Sequence, residues 1–508
     1  MIRVLFIDLY KKESRNYVND SKTLDYSIDL HFDYKTYEKD PFENNLTIFS
    51  VGHQKNKDNI NSLIIYRSPI TGSLDINLSS FGKYIKLTGN DIIVLYGKLD
   101  KRYFLIIEND NVVFLENDIS EDIYKRKEEL YNTLKDIYGG KDFIILLNGL
   151  GSKFTIYGNL IIFENNKIKV TKGGIGSVLY RYHNISGLSI GGDNKIENKR
   201  LDIELIEEEK ESIRDFYQSI PDKIPILNYK NIYLSEEENK KIFDDYIYPL
   251  VNNLKKEYPY EPFNILGPFL GILNEEYIRD LIELSNRYGL DTLYLGYILG
   301  TILEGLYIGK VSIKDLNKSL FDFNNLDKSS EINYNIAKYL IEKDAYGELS
   351  LLGKDIRHIS NLFDLNNISV YIPFNNKSST VFNPYISLGL FLPNLIYDKY
   401  FSDYLMNAMN PIEYSGFNFG KFESTYEVNN VDNVENVELN VKREKRFSKI
   451  FEYHKLTNSI PDKNYPKRLI DIHNKIAKKY NINYTFDQYF DEYFNSYQEI
   501  IYNKAPVV

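Results

Sequence analysis

The chain contains no cysteine and no tryptophan, and only 3 methionines and 6 histidines among its 508 residues. Without cysteine there is no disulfide, no thiolate zinc site, no cysteine nucleophile and no cysteine-ligated iron–sulfur cluster. The six histidines (His31, His53, His183, His358, His454, His473) show no i, i+4 pairing with a nearby carboxylate, so no metal ligand is assigned. No Gly-x-Ser-x-Gly elbow and no Ser-His-Asp order is present either. Positive charge is in deficit: 62 Lys plus Arg face 72 Asp plus Glu, a net charge of −10, with no basic run interleaved with aromatics. That argues against nucleic acid, because neutralising phosphates needs clustered Lys and Arg. Long apolar runs are scarce too. The segment TLYLGYILGTILEGLYIG (292–309) carries only Glu304 as a charge, but it sits at the lower limit for a membrane span and begins after Asp291, a typical N-cap of a soluble helix. A buried helix is the expected reading and no membrane partner is assigned. The start of the chain, MIRVLFIDLYKKES, reads as a strand and no signal peptide, which gives a cytoplasmic expectation.

What is present divides the chain. Residues 1–195 are rich in short β-branched and aromatic runs bounded by turn residues: NSLIIY (61–66), DIIVLY (91–96), RYFLIIE (102–108), NVVFL (111–115), DFIILL (142–147) and NLIIFE (159–164). One helix interrupts them, with Ser120 as its expected cap, Tyr124, Leu130, Leu134 and Ile137 as its apolar face, and Gly139 as its stop. The mixed-charge stretch 193–216 reads as a linker or a solvated helix. Beyond it the pattern turns helical, as in NEEYIRDLIELSNRYG (274–289), with Asn274 as cap and Gly289 past the end. The Val/Asn-biased stretch 425–441 reads as an irregular loop, and residues 485–504 as an aromatic amphipathic helix. The fold class is α+β: a strand-rich domain over 1–195, a helical domain over 215–365 and a mainly helical domain over 366–508.

Four stretches could carry chemistry. In TKGGIGS (171–177), Gly173, Gly174 and Gly176 permit positive φ and let backbone N–H groups converge on an anion, with Lys172 supplying charge; a tight turn between strands is the other reading. NGLGSKF (148–154) lacks the third glycine of a dinucleotide fingerprint and reads as a turn. YGLD (288–291) sets a helix stop beside a helix start, where Asp291 either caps its own helix or accepts from a ligand as well. In YPYEPFNILG (258–267), Glu261 sits among aromatics and prolines, a setting that raises a carboxyl pKa and suits a general acid or base, or else forms the flank of the next helix.

Taken in order, IIYRSPITG (64–72), GNDIIVLYGK (89–98), KGGIGSVLYRYHNISGLSIGG (172–192), PYEPFNILGPFLGI (259–272), RYGLDTLYLG (287–296) and INYTFDQYFDEYFNSYQEIIYN (482–503) resemble the aldehyde ferredoxin oxidoreductase family of tungsten-pterin enzymes. The resemblance implies a strand-rich base for two pterins that hold tungsten, covered by two helical domains. It implies that Lys172, Gly173, Gly174 and Gly176 approach cofactor phosphates, and that Gly289, Leu290 and Asp291 end the pterin motif Asp-x-x-Gly-Leu-Asp, whose first acid falls on Asn286. Glu261 matches the active-site glutamate. The departures concern the electron path: the family's cluster cysteines are all missing, HKLTNSI (454–460) stands where the last of them belongs, the phosphate loop is reduced to SLDINLSSFG (73–82), its preceding Arg aligns with Asn61, and the active-site His has no counterpart. The expectation is a cluster-free pseudoenzyme: a non-catalytic scaffold, partner subunit or ligand-binding paralogue with a degenerate or absent tungstopterin, partnered as a homodimer or with a related oxidoreductase subunit. The alternatives are an active tungstopterin oxidoreductase that oxidises aldehydes and passes electrons to a partner protein, and a phosphate- or nucleotide-binding protein using the glycine loop alone.

Overall fold

The apolar runs of the first 195 residues become the strands of two six-stranded mixed sheets. In the computed structural model, residues 1–54, 60–139, 141–164, 167–196 and most of 241–365 are described, with Tyr453 and Leu456. The first sheet has the order β2 (Glu13–Asn19), β1 (Ile2–Asp8), β6 (Ile92–Tyr96), β3 (Leu46–Gln54), β4 (Ile60–Arg67), β5 (Leu74–Ser79). The second has the order β11 (Lys167–Val170), β10 (Leu160–Glu164), β9 (Asp142–Asn148), β12 (Ile185–Gly192), β7 (Tyr103–Glu108), β8 (Asn111–Glu116). Each sheet contains one parallel pair, β1 with β6 and β7 with β12, among antiparallel neighbours. The β12 register shifts between Ile185 and Gly187, a bulge that re-aims Ser186.

Alternation decides how the sheets pack. Leu5 and Ile7, Phe49 and Val51, Ile64 and Tyr66, and Ile93 and Leu95 from the first sheet form one buried cluster with residues of the second. Those are Leu105 and Ile107, Ile144 and Leu146, Leu160 and Ile162, and Leu188 and Ile190. Because side chains two apart share a face, these pairs define two inner faces stacked on each other, the arrangement that removes most apolar area from water. Phe81 and Ile85, at the start of and within helix α2 (Gly82–Leu87), join the same cluster. Helix α1 (Thr23–Asp33) packs against β3 and β4.

The other face of the second sheet is covered by α3 (Ile123–Tyr138): Leu130 and Leu134 meet Phe104, Ile106, Ile145 and Leu147. The cap of this helix is Asp122 rather than Ser120. Asp122 Oδ1 accepts from the N–H groups of Tyr124 and Lys125, both at 3.0 Å, while Ser120 Oγ only accepts from the Asp122 N–H at 3.3 Å. Its inner stripe also differs from the expected one. Ile123, Arg126, Leu130 and Leu134 are buried, whereas Tyr124 and Ile137 are exposed, because the 3.6-residue period drawn back from Leu134 passes through Arg126.

The helical expectations after residue 240 hold where they are described. Asn274 Oδ1 accepts from Glu276 and Tyr277 N–H, and the helix Glu275–Tyr288 buries Ile278, Leu281, Ile282 and Leu284 before Gly289 takes φ +65°. Thr292–Tyr307 is a buried helix, with Glu304 itself buried, and no helix of the described residues is long and apolar enough to cross a membrane. Most of the stretch 193–216, and all of 425–441, HKLTNSI and 485–504 apart from Leu456, lie outside the described residues.

By contacts the chain forms two compact units, each discontinuous in sequence. The first comprises Met1–Glu208, Arg279–Ile298 and Tyr334–Ile359, and the second Glu209–Ile278, Leu299–Asn333 and Ser360–Val508. Within the second, Asn333 Nδ2 donates to the Leu270 and Leu320 carbonyls, and Ser330 Oγ accepts from Leu273 N–H.

Candidate functional site

Stretches far apart in sequence converge in the first unit. β11 delivers the chain into Thr171–Gly174, where Gly173 and Gly174 take φ +80° and +88°, left-handed values that a Cβ would strain. A short helix, α4 (Gly151–Phe154), lies against another, α5 (Ile175–Ser177), which continues as a π turn over Val178–Tyr182, and Ser177 Oγ donates to the Thr155 carbonyl. The glycines are places of close approach between chain segments. A Cβ on Gly176 would overlap Ser152 Oγ and the Asn159 backbone, one on Gly149 would overlap the Tyr288 carbonyl, and one on Gly151 would overlap the Leu290 side chain. KGGIGS, NGLGSKF and YGLD, separate motifs in the sequence, are therefore parts of one backbone crossing.

Hydrogen bonds tie the crossing together. Gly158 bridges Leu290, Asn159 N–H donates to the Gly289 carbonyl at 2.6 Å, and Asp291 N–H donates to the Tyr157 carbonyl at 3.0 Å. Asp291 then serves two segments. Its Oδ1 accepts from Tyr294 N–H at 3.1 Å, capping the helix Thr292–Tyr307, and its Oδ2 accepts from Gly173 N–H at 2.7 Å. Gly174 N–H donates to Asn159 Oδ1 at 2.8 Å. The Lys172 and Gly173 carbonyls are met as well: Asn77 Nδ2 donates to Lys172 O at 2.8 Å, and Ser68 Oγ to Gly173 O at 2.7 Å.

Beside Gly173 stands a polar group that sequence reasoning missed: Tyr66, Asp75 and Asn77. Tyr66 and Asp75 face each other across β4 and β5, and Asn77 lies two residues on along the same face. Tyr66 Oη lies 3.1 Å from Asp75 Oδ2 and 2.8 Å from Lys172 O, and accepts from Asn77 Nδ2 at 3.1 Å. A phenol has one proton, so it goes to the Asp75 carboxylate while Asn77 supplies Lys172 O. Burial, and then the Asp75 charge, push the Tyr66 phenol well above its ordinary range, so it stays protonated and donates. The available signal was the alternation in LDINLS, which sets Asp75 and Asn77 on one face of a strand beside Tyr66. Asn159 and Ser152 were missed for another reason: their place follows only from how the glycine segments cross.

Of the residues singled out in the sequence, the structure brings together Gly173, Gly174, Gly176, Gly289, Leu290 and Asp291, with the Lys172 carbonyl beside them. Glu261 lies on the helix Tyr260–Ile265, in the second unit. Among the described residues, no group of three His, Asp or Glu could hold a metal ion.

Residues 6–192, the segment that builds both sheets and ends just past the glycine loop, match the N-terminal domain of aldehyde ferredoxin oxidoreductases. Over this segment the chain resembles a divergent member of that family. It is 22% identical to an uncharacterised protein of Methanocaldococcus jannaschii, with 74% of each chain covered. It is 23% identical to glyceraldehyde-3-phosphate:ferredoxin oxidoreductase of Pyrococcus furiosus, with 73% of each covered. Against the tungsten-containing aldehyde ferredoxin oxidoreductase of Pyrococcus abyssi the identity is 25%, over 56% of this chain and 53% of that protein. Among solved structures, the active-site complex BamBC of benzoyl coenzyme A reductase with 1,5-dienoyl-CoA matches with a TM-score of 0.53 at 15% identity, covering 78% of this chain and 68% of that one, a likeness of fold.

The likeness to this family makes a phosphate-bearing pterin the group against which the glycine loop must be tested. A phosphate needs N–H donors that are still available. At Gly173 and Gly174 both are spent on Asp291 and Asn159. The α-carbon of Gly173 also packs directly on the Asp75 carboxylate. A phosphate there would displace one carboxylate and lie against another, and like charges at such range repel strongly. The residues present do not fit a phosphate at this loop: its own carboxylate occupies the position an external anion would take.

Proposed function

We propose that this protein is a cluster-free, non-catalytic member of the aldehyde ferredoxin oxidoreductase family, acting as a scaffold or partner subunit. The observation that carries the reading is the absence of any cysteine from all 508 residues. Iron–sulfur clusters are held by thiolates, so this chain cannot ligate the relay that would take electrons from a buried centre to ferredoxin. The closed glycine loop supports the same reading, because Asp291 and Asn159 meet the donors that would otherwise hold cofactor phosphates. In this reading Glu261 is a residue of the helix Tyr260–Ile265 with no catalytic role. The protein then works by binding, as a homodimer or against a related oxidoreductase subunit. The test is aldehyde-dependent reduction of a low-potential viologen dye, which accepts electrons without a cluster-bearing protein partner. No reduction above the protein-free rate is expected from protein produced in tungsten-supplemented cells. Turnover that scales with protein and is lost in Glu261→Gln would establish the active alternative.

A further inference from the structure

The layer between α3 and the second sheet is mainly apolar, with Ser189 buried between Ile106 and Ile145, and Arg126 enters it at one end, from the first turn of the helix. Its side chain is buried, the residue being 3% exposed. A guanidinium carries five N–H donors. Here Nη2 donates to Ser186 Oγ at 2.9 Å, and Ser186 passes its own proton to the Tyr103 carbonyl at 3.2 Å. Nε and Nη1 are buried and have no hydrogen-bond partner among the described residues. Burial pulls the Arg126 pKa down to about 10, which still leaves it charged at neutral pH. A buried cation with most of its donors unmet is among the costliest arrangements a fold can hold. The structure holds it in place with the Ser186 bulge and with the apolar residues that follow on α3.

The surroundings favour an anion. The N-terminal end of α3 adds positive potential at the same end of the layer. Arg102 adds a second guanidinium: it stacks on Tyr180 with Cζ 3.6 Å from the ring centroid, donates to Asn184 Oδ1 at 2.9 Å and to the Tyr180 carbonyl, and so orders the segment leading to Ser186. The ionisable groups that face Arg126 are Asp118, Glu129 and Tyr180. Asp118 is exposed and lies 3.8 Å from Arg102 Nε, and none of the three hydrogen-bonds the Arg126 guanidinium.

We propose that Arg126 is the floor of a small-oxyanion site, taking the carboxylate or phosphate end of a small molecule in a bidentate grip beside the N-terminus of α3. A planar fork with free donors matches two oxygens of one anionic group. This site lies on the α3 face of the second sheet and is independent of the glycine loop and of the function proposed above.

The experiment is thermal unfolding of the full chain at constant ionic strength, titrated separately with inorganic phosphate and with acetate, alongside Arg126→Met. A saturable rise in Tm of about 2 °C or more with at least one anion is expected for the wild type. The more effective anion then tells a phosphate end from a carboxylate end. In Arg126→Met the rise disappears, and the variant in anion-free buffer is as stable as the wild type or more so, since an unpaired buried charge has been removed. A flat wild-type response to both anions overturns the proposal by itself, whether or not the variant folds. So does an undiminished rise in Arg126→Met, or a large loss of stability in that variant without anion.

Discussion

Two polar places in the first unit handle charge in opposite ways. Around Gly173, where a ligand was expected, Asp291 accepts from Gly173 and Tyr294, Asp75 accepts from Tyr66, and Asn159 accepts from Gly174. Under α3, where nothing was expected, Arg126 has a single hydrogen-bond partner among the described residues. A glycine-rich sequence thus marks close approach without saying of what. Here the close neighbours are other segments of the same chain, and the unmet donors lie in a helix that no motif singles out.

The largest break in this comparison would come from opening the loop. Gly174 combines φ +88° with a neighbourhood in which a Cβ would overlap the Ile156 carbonyl and press on Pro69. Gly174→Ala should cost about 3–4 kcal/mol in urea-induced unfolding, from left-handed strain plus overlap. A cost under about 1 kcal/mol would mean that the loop is not held closed by contact.

His183 sharpens the contrast, because it is a buried titratable group that resolves its burial by staying neutral. Its Nδ1 lies 2.6 Å from the Gly97 carbonyl and so carries the proton, and Nε2 accepts from Thr47 Oγ1 at 3.1 Å. Burial lowers its pKa from the ordinary 6.5 to about 4. Between those values the unfolded chain binds a proton that the folded chain does not, so this contribution is full above pH 6.5 and is lost as pH falls toward 4. The loss amounts to about 3 kcal/mol from this residue. Burial also lowers the His31 pKa, to about 3, which adds a loss of the same sign. Urea melts from pH 7 to 4 should show a steeper decline in the wild type than in His183→Gln. Equal slopes would mean that His183 is not held neutral.

A smaller effect separates the two jobs of Asp291. Asp291→Ala loses both the helix cap and the Gly173 partner and should cost about 2 kcal/mol, whereas Asp291→Asn keeps one acceptor oxygen and should cost about 1 kcal/mol. Equal costs in the two variants would show that the charge on Asp291, rather than its two acceptor positions, holds the crossing.

Much of the fold was legible in the sequence. The six strands quoted between residues 61 and 164 lie within a residue or so of their places, because short β-branched runs between turn residues leave few alternatives, whereas the strand read in MIRVLFIDLYKKES stops at Asp8 and a second begins at Glu13. The α3 cap was misplaced by two residues, since Ser120, Glu121 and Asp122 offer adjacent candidates that only backbone geometry separates. The site was less legible. The glycines could be picked out one motif at a time, but their partners Asn159 and Ser152 come from a crossing that no periodicity encodes. Tyr66 and Asp75 needed the β4–β5 register, and Arg126 the rotation of α3 about its axis.

The most direct test of the central claim, that a redox scaffold persists here without its cofactor, is elemental and pterin analysis of the full chain purified anaerobically from cells supplied with tungstate and molybdate. The account predicts tungsten, molybdenum and pterin each far below one per chain. One metal atom per chain, accompanied by two pterins, would contradict it.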